Sequence, residues 1–230
     1  MNWKEKYRSP YYRDAAIPDP QLAPRHCALL LIDVQNVYLQ RSSRESLPEE
    51  QRATWDLWQP FHVRMRNVVI PNARRLLSAF RKHHRDVFHA RIACLTSDGR
   101  DRSLSQRRPG FNNLLLPKDN WSSQAVPELT PEDGEIVVMK TTDSALTGTN
   151  LRLLLRNMEV RHVVVAGIFT DQCVSSTVRS LADESFDVVV VDDACAAVTM
   201  ELHEQELTVL NNIYCQVMGV DDVLTQLGWS

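Results

Sequence analysis

Six short apolar runs recur along the sequence, and most of them are continuous rather than alternating with polar residues. They occupy positions 27–33, 86–93, 135–139, 162–167, 187–192 and 215–218. A continuous apolar run is typical of a strand that is covered on both faces, as in a parallel sheet. The pattern therefore predicts six buried strands.

Between these runs, apolar residues recur at helical spacing. In 72–83, one face of the predicted helix carries Ala73, Leu76, Leu77 and Phe80. The same spacing appears in 148–158, in the segment after Cys173, in 201–213 and in 220–227. Strands that alternate with helices predict an α/β fold with right-handed crossover connections.

Two stretches interrupt this alternation, and each is too short to bury a core of its own. Residues 41–66 carry charges together with Trp55, Trp58 and Phe61, and 95–127 is rich in Arg, Ser, Asn and Pro. Both follow strands, so they reach the side of an α/β sheet where ligands bind, and we interpret them as candidate lids. An oligomer contact is the alternative, because exposed aromatic residues also mark interfaces.

The chain organisation that follows is an N-terminal extension, 1–24, and a single domain, 25–230, into which the two candidate lids are inserted. A length of 230 residues suits one large domain. A net charge of −3 gives no reason to expect nucleic-acid or membrane partners. The sequence shows neither a signal peptide nor a membrane-spanning run. Five cysteines without a CxxC pair argue against disulfides and predict a reducing, cytoplasmic location.

Cys173 stands apart from the other cysteines because it follows the run 162–167 where a helix is expected to begin. With Thr170 or Asp171 as the N-cap, its sulfur would lie in the first helical turn, where free N–H groups favour a thiolate. The alternative is a small buried hydrophobic residue. For the remaining cysteines, which lie within or beside strands, a core position is expected: Cys27, Cys94, Cys195 and Cys215.

A nucleophilic thiol needs a base, and Asp33 lies where the first apolar run ends. If the strands before Asp33 and Cys173 flank the point at which the strand order reverses, the two side chains meet across the crevice. Lys140 follows another predicted strand and would then keep Asp33 ionised. Taken alone, each of these residues could instead be an ordinary cap or a solvated side chain.

Three segments together resemble the isochorismatase-like cysteine hydrolases over residues 25–227: LLLIDVQNVY, VVMKTTDSALTGTNL and VVVAGIFTDQCVSSTVRSLADESFDVVVVDDACAA. The resemblance implies a three-layer α/β sandwich with a six-stranded, mostly parallel sheet in the order 3-2-1-4-5-6 and helices on both faces. It implies an Asp33–Lys140–Cys173 triad. It also implies a cis peptide at Ile168–Phe169, backbone N–H groups of Phe169 and Cys173 that hold the oxyanion, and a homo-oligomer, dimer or tetramer.

The cysteine distinguishes this sequence from the relatives that cleave isochorismate, and favours acyl transfer on an amide-like carbonyl. The region after His89, HARIACLTSDGRDRSLSQRR, lacks the histidines of the nicotinamidase metal site, so neither a metal nor another cofactor is expected. The resemblance is nearest to ureido-type hydrolases such as those for biuret, triuret, ureidoacrylate, N-carbamoylsarcosine and guanylurea. An amidase for a ring carboxamide, and a noncatalytic or redox-sensing protein, remain alternatives.

The predicted substrate-binding residues follow from the same resemblance. Arg91 in HAR matches a motif of the ureido-type enzymes, and a guanidinium can grip a ureido oxygen with two hydrogen bonds; a surface ion pair is the alternative. Asn211 matches an amide-bearing position, or else ends a helix. Gln35, Tyr38 and Trp58 complete the set. The expected activity is hydrolysis of C–N bonds other than peptide bonds in linear amides (EC 3.5.1), with a small molecule as the only partner besides further copies of the chain.

Overall fold

The structure is a computed structural model that describes residues 2–110 and 113–229. Its centre is a single sheet whose strands are β1 (Cys27–Ile32), β2 (Val87–Ile92), β3 (Ile136–Lys140), β4 (His162–Ile168), β5 (Asp187–Ala196) and β6 (Gln216–Met218). The order is β3-β2-β1-β4-β5-β6, and every neighbouring pair is parallel. The predicted fold class and strand order are therefore confirmed, with a sheet that is parallel throughout.

The helices are α1 (Asn36–Leu39), α2 (Glu49–Arg64), α3 (Ile70–Lys82), α4 (Leu151–Asn157), α5 (Ser175–Asp183), α6 (Met200–Leu210) and α7 (Val220–Gln226). Five of them, α3 to α7, fall in segments where the apolar spacing predicts helix. Within the described part of the chain, no helix combines the length and the apolar character that crossing a membrane requires.

Both faces of the sheet are covered, as the continuous apolar runs predict. Along β1, Leu29 and Leu31 pack into one core together with α3 and α7, whereas Ala28, Leu30 and Ile32 pack into the other with α4, α5 and α6. Successive strand residues point to opposite faces, so a run buried on both faces has no polar alternation. The result is three layers: helices, sheet, helices.

The inserted segment 41–66 is mostly helical, which the sequence pattern did not predict. Its helix α2 continues through a π-helical stretch, Met65–Val69, into α3. Phe61 is fully buried in the core. Trp55 lies against the guanidinium of Arg41 and donates a hydrogen bond to the carbonyl of Ser42. Of the three aromatic residues Trp55, Trp58 and Phe61, it is Trp58 that lines the central cavity.

The first 24 residues lie against the rest of the fold. Trp3, Ser9 and Leu22 are buried, and Lys6 forms an ion pair with Asp192 of β5. The carbonyl of Tyr7 accepts a hydrogen bond from the buried side chain of Asn211, which follows α6. These contacts fasten the N-terminal segment to the β5–β6 side of the sheet.

Candidate active site

The strand order reverses between β1 and β4, the two central strands, and the site lies at the carboxyl ends of this pair. Crevices at such switch points are the usual ligand-binding places of open α/β sheets. Gly167 pairs with Ile32 at this end, and its backbone is so close that an added Cβ would collide with the Ile32 carbonyl. With a φ of 129°, this position requires glycine.

Asp33, Lys140 and Cys173 meet at this crevice. The ammonium of Lys140 lies 2.7 Å from Oδ2 of Asp33 and 3.2 Å from Sγ of Cys173. The other carboxylate oxygen of Asp33 accepts a 2.7 Å hydrogen bond from the N–H of Ile92. Asp33 and Lys140 are almost completely buried, and Cys173 keeps 6% of its surface exposed. The ammonium thus joins the acid and the thiol directly.

Local structure explains why these residues converge. Asp33 follows β1 and has a φ of 54°, a left-handed conformation that turns the chain sharply at the strand end. Lys140 ends β3 on the same face as Val138, which packs in the core beside Cys173. Cys173 lies in the π-helical turn Thr170–Val174 between β4 and α5. π-helical turns are rare and often occur at functional sites.

The ionisation of the three groups is set mainly by burial. Burial raises the pKa of the Cys173 thiol well above its ordinary value, and the charge of Asp33 raises it further, although Lys140 opposes both. Burial also raises the pKa of Asp33, which Lys140 offsets only in part. For Lys140, burial favours the neutral amine, but the charges of Asp33 and Cys173 outweigh it and raise the pKa.

These directions correct the expectation that the helix start favours a resting thiolate. Desolvation of a sulfur that is 6% exposed, together with the charge of Asp33, disfavours its anionic form more strongly than Lys140 favours it. The raised pKa favours the neutral thiol as the resting form. Its attack on a carbonyl requires a base, and a buried carboxylate with a raised pKa is a stronger proton acceptor than an exposed one.

The peptide bond between Ile168 and Phe169 is cis, at the position that the family resemblance implies. The carbonyl of Phe169 accepts hydrogen bonds from the N–H groups of Gln172 and Val174, which hold the turn around Cys173. The backbone N–H groups of Phe169 and Cys173 thus belong to one tightly bonded turn beside the sulfur. Their role as an oxyanion hole stays a prediction.

A cavity of about 760 Å³ opens above the sulfur. One side of it is aromatic and is lined by Tyr38, Trp58 and Phe169. The rings of Tyr38 and Trp58 pack edge-to-face against Phe169, with centroid distances of 5.4 Å and 5.7 Å. Asp33 and Cys173 form part of its wall. The predicted binding residues Tyr38 and Trp58 are therefore placed at the cavity.

Three other predicted binding residues lie outside this cavity. Arg91 donates to the carbonyls of Lys118 and Ser123, and Gln35 donates to those of Ile92 and Ser123. Arg91 is an odd-numbered residue of β2, like Val87, so strand alternation turns it to the sheet face opposite the one that carries Cys173. The two residues line a second cavity of about 180 Å³, whose wall also includes Asp33.

Asn211 is fully buried at the end of α6, where its amide group bonds to backbone groups and to the side-chain amide of Asn212. Nδ2 donates to the carbonyls of Lys6 and Tyr7, and Oδ1 accepts from the N–H of Val217. Its side chain therefore fastens the N-terminal segment to β6. This corrects the expectation of a substrate contact in favour of the helix-end alternative.

Two polar cavity residues went unrecognised in the sequence. Oδ1 of Asp143, three residues after Lys140, lies 3.7 Å from Sγ of Cys173 and 2.8 Å from Nε2 of Gln106. Gln106 belongs to the inserted segment 95–127 and is 5% exposed. Only the short distance from Lys140 to Asp143 could have indicated this carboxylate; nothing in the composition of 95–127 distinguishes Gln106.

The remaining cysteines are free and buried, in agreement with the core positions expected for them. Cys94 also lines the main cavity. In 2–110 and 113–229, no group of three or more His, Cys, Asp and Glu side chains is arranged to hold a metal ion.

Comparison with known proteins relates the chain to a hydrolase family. The isochorismatase domain matches residues 27–222. The ureidoacrylate amidohydrolase RutB of Enterobacter sp. (strain 638) is 31% identical over 179 residues, which cover 75% of this chain and 76% of that protein.

Solved structures agree with this relationship. An isochorismatase family protein from Desulfovibrio vulgaris subsp. vulgaris str. Hildenborough aligns with a TM-score of 0.70 and 26% identity, covering 87% of this chain and 99% of that one. N-carbamoylsarcosine amidase from Thermoplasma acidophilum aligns with a TM-score of 0.63 and 22% identity, covering 85% and 96%. At that identity the second alignment supports the fold alone.

Proposed function

Because this chain belongs to the isochorismatase family, we propose that it is a cysteine-dependent amidohydrolase that cleaves a C–N bond of a small ureido-type substrate. Its class is that of enzymes hydrolysing carbon–nitrogen bonds other than peptide bonds in linear amides (EC 3.5.1), the class of its named relatives. The observation that carries the proposal is the ammonium of Lys140, which contacts both the Asp33 carboxylate and the Cys173 sulfur beside the cavity.

The first half-reaction is acylation of the sulfur. Asp33 accepts the thiol proton, and the sulfur forms a bond to the carbonyl carbon of the substrate. The negative charge that develops on the carbonyl oxygen is stabilised by the N–H groups of Phe169 and Cys173. As the C–N bond breaks, Asp33 returns the proton to the leaving nitrogen, which departs as ammonia or an amine and leaves a thioester on Cys173.

The second half-reaction regenerates the thiol. Asp33 takes a proton from a water molecule, whose oxygen attacks the thioester carbon. The C–S bond then breaks, and the proton passes from Asp33 to the sulfur while the acid product leaves. Lys140 remains an ammonium throughout, in keeping with its raised pKa, and balances the negative charge as it alternates between Asp33 and Cys173.

The relatives support a ureido-type substrate. RutB of Enterobacter carries ureidoacrylate in its name and shares 31% of the aligned residues. The cavity of about 760 Å³ is large enough for biuret, guanylurea or an N-carbamoyl compound. The aromatic side formed by Tyr38, Trp58 and Phe169 favours a second candidate substrate, the carboxamide of a flat ring.

The test is ammonia release by the wild type and by Cys173→Ser across a panel of ureido amides, with nicotinamide included for the ring-amide candidate. We expect the wild type to hydrolyse at least one ureido compound and the variant to lose activity by about 10³-fold or more. Cys94→Ala is the matched control, because it removes another buried thiol of the same cavity and should retain activity.

A variant Cys173→Ser that turns over substrate at the wild-type rate would contradict the nucleophile. Mass spectrometry provides a second measurement: rapid quenching of the wild type with substrate should reveal an acyl adduct on Cys173. Alkylation by iodoacetamide separates catalysis from a noncatalytic or redox-sensing role. In an enzyme, a small ureido amide protects Cys173 from alkylation and the alkylated protein is inactive.

A further inference from the structure

The carboxylate of Asp143 lies beside the sulfur of Cys173. Its Oδ1 is 3.7 Å from Sγ of Cys173, and the side chain lines the main cavity. In the proposed mechanism Asp33 accepts the proton, so Asp143 is a second carboxylate beside the sulfur, within hydrogen-bonding distance of the thiol, to which the mechanism assigns no proton transfer.

Asp143 is held in place by a buried amide. Nε2 of Gln106 donates a 2.8 Å hydrogen bond to Oδ1, and Gln106 is 5% exposed. Among the described residues, Oε1 of Gln106 is buried without a hydrogen-bond partner, and both Gln106 and Asp143 line the cavity. The pair offers acceptor oxygens where a substrate would lie, beside the second N–H of the Gln106 amide.

The positive side chains of the cavity are engaged elsewhere. Arg102 is 8% exposed and donates to the carbonyls of Gly99, Gln106 and Leu114. Arg179 is paired with Glu206 at 2.8 Å and lies over the ring of Tyr214. The ammonium of Lys140 already contacts the Asp33 carboxylate and the Cys173 sulfur. A substrate carboxylate would therefore find few free cations close to Cys173.

Asp171, in the turn of Cys173, adds to the negative character of the cavity. It lines the same space, and its Oδ1 is buried without a partner in the part of the chain that the structure describes. Two acidic side chains thus face the substrate region in addition to Asp33. A ligand that is rich in N–H groups, and neutral or cationic, complements these acceptors, whereas an anionic ligand is repelled.

We propose that Asp143 is a specificity-determining residue that accepts hydrogen bonds from the N–H groups beside the scissile carbonyl, so that the enzyme prefers cationic or uncharged ureido compounds to carboxylate-bearing ones. Guanylurea represents the cationic class, biuret the neutral class, and ureidoacrylate and N-carbamoylsarcosine the anionic class. This inference rests on the proposed amidohydrolase function and narrows its substrate class.

The experiment compares kcat/KM for these compounds in the wild type and in Asp143→Asn, which retains an acceptor for Gln106 but removes the charge. We expect the wild type to prefer guanylurea and biuret. In Asp143→Asn, kcat/KM for guanylurea should fall about 10- to 100-fold, mainly through KM, because a hydrogen bond to a charged group is lost. The anionic compounds should be hydrolysed as well as before, or better.

Asp98→Asn is the matched control, since it removes a carboxylate from an exposed part of 95–127 that does not line the cavity. It should leave the order of preference unchanged. Asp143→Glu, which restores the charge, should recover part of the preference for guanylurea. Binding of guanylurea and ureidoacrylate to Cys173→Ser by calorimetry gives the same ranking without turnover.

The outcomes separate the two proposals. A wild type that hydrolyses ureido amides but prefers the anionic compounds would overturn the role of Asp143 and leave the amidohydrolase function standing. An equal loss for all substrates in Asp143→Asn, or no change in their ratios, would also overturn it. If the wild type hydrolyses none of the panel and Cys173→Ser binds none of it, the proposed function fails and the substrate class fails with it.

Discussion

Two buried aspartates illustrate how differently this fold treats the same side chain. Asp33, after β1, has one cationic partner, Lys140, at 2.7 Å, and shares it with a thiol. Asp192, in β5, is bonded by Lys6, by His203 at 2.9 Å and by Arg64 at 3.4 Å. The first lines the main cavity and the second does not.

Their pKa values move in opposite directions. Burial raises the pKa of Asp33 more strongly than Lys140 lowers it. For Asp192, burial acts in the same sense, but hydrogen bonds from His203 and Lys6 outweigh it and lower the pKa to about 2. A carboxylate with many donors is fixed as an anion and stabilises the fold. A carboxylate with one backbone donor and one cationic partner, which it shares with a thiol, keeps its affinity for a proton, as a general base requires.

The two clusters are also connected. Nδ1 of His203 lies 2.8 Å from Oγ1 of Thr170, the first residue of the turn that carries Cys173. His203 is fully buried, and burial lowers its pKa despite the hydrogen bond with Asp192, so it is neutral near pH 7. The network of Asp192 therefore supports the Cys173 turn from the side away from the substrate.

The largest expected effect distinguishes the roles of the two aspartates. Asp33→Asn should reduce kcat by about 10²- to 10⁴-fold, because the thiol loses its proton acceptor. It should also destabilise the protein, since Lys140 is left buried without its carboxylate. Steady-state ammonia release and urea denaturation measure the two effects.

Asp192→Asn is the matched control for this substitution. It should lower the free energy of unfolding by about 3 kcal/mol, because the charges of Lys6 and Arg64 lose their partner. Its kcat should remain close to that of the wild type. If Asp33→Asn keeps wild-type kcat, or if Asp192→Asn loses as much activity as Asp33→Asn, the division into a catalytic and a structural aspartate is wrong.

The next effect is on pH dependence. Asp33 acts as a base only when ionised, so kcat/KM should fall as the pH decreases through its raised pKa, above the ordinary value of 3.8. Asp192 has a lowered pKa, so its contribution to stability is complete above about pH 4 and is lost as the pH falls towards 2. Asp33 affects stability with the opposite sign, because its ionisation disfavours the folded state.

Activity should therefore disappear at a higher pH than the folded structure does. Parallel measurements of kcat/KM and of circular dichroism from pH 7 to pH 2 check this. In Asp192→Asn, the free energy of unfolding should depend less on pH in the acid range. The pH at which kcat/KM falls should not change. If kcat/KM and the circular dichroism signal of the wild type are lost at the same pH, acid inactivation results from unfolding. The pH dependence would then no longer support Asp33 as the titrating base.

The buried strands could be predicted because their signals are local, whereas the strand order and the Asp33–Lys140–Cys173 triad followed from the resemblance to the family. Continuous apolar runs indicate buried strands, and the carboxyl ends of parallel strands lie at the same edge, which brings Asp33, Lys140 and Cys173 together. Motif matching also assigned Arg91 to the substrate. That assignment stays a prediction: the guanidinium donates to the carbonyls of Lys118 and Ser123, and Arg91 lines a second cavity whose wall includes Asp33.

Longer-range features gave weaker signals. Asn211 contacts the backbone of Lys6 and Tyr7, some 200 positions earlier, and such pairing has no local pattern. Helix α2 is largely exposed, with Phe61 as its fully buried residue, so it lacks the apolar stripe by which helices are recognised. Gln106 reaches Asp143 from an irregular segment, which only the three-dimensional fold brings to the cavity.

The smallest expected effect concerns the N-terminal partner of Asp192. Lys6→Met should lower the free energy of unfolding by no more than about 1 kcal/mol, because the lysine side chain is 45% exposed and solvent screens its charge. Asp192 retains His203 and Arg64, and the turn of Cys173 keeps its bond to His203, so kcat should be unchanged. Urea denaturation and ammonia release test this, with Lys4→Met as the control for an exposed lysine of the same segment. If Lys6→Met destabilises the protein as much as Asp192→Asn does, Lys6 is the main partner of Asp192. The ion pair with the N-terminal segment would then contribute more to stability than the buried contacts of Asp192 with His203 and Arg64.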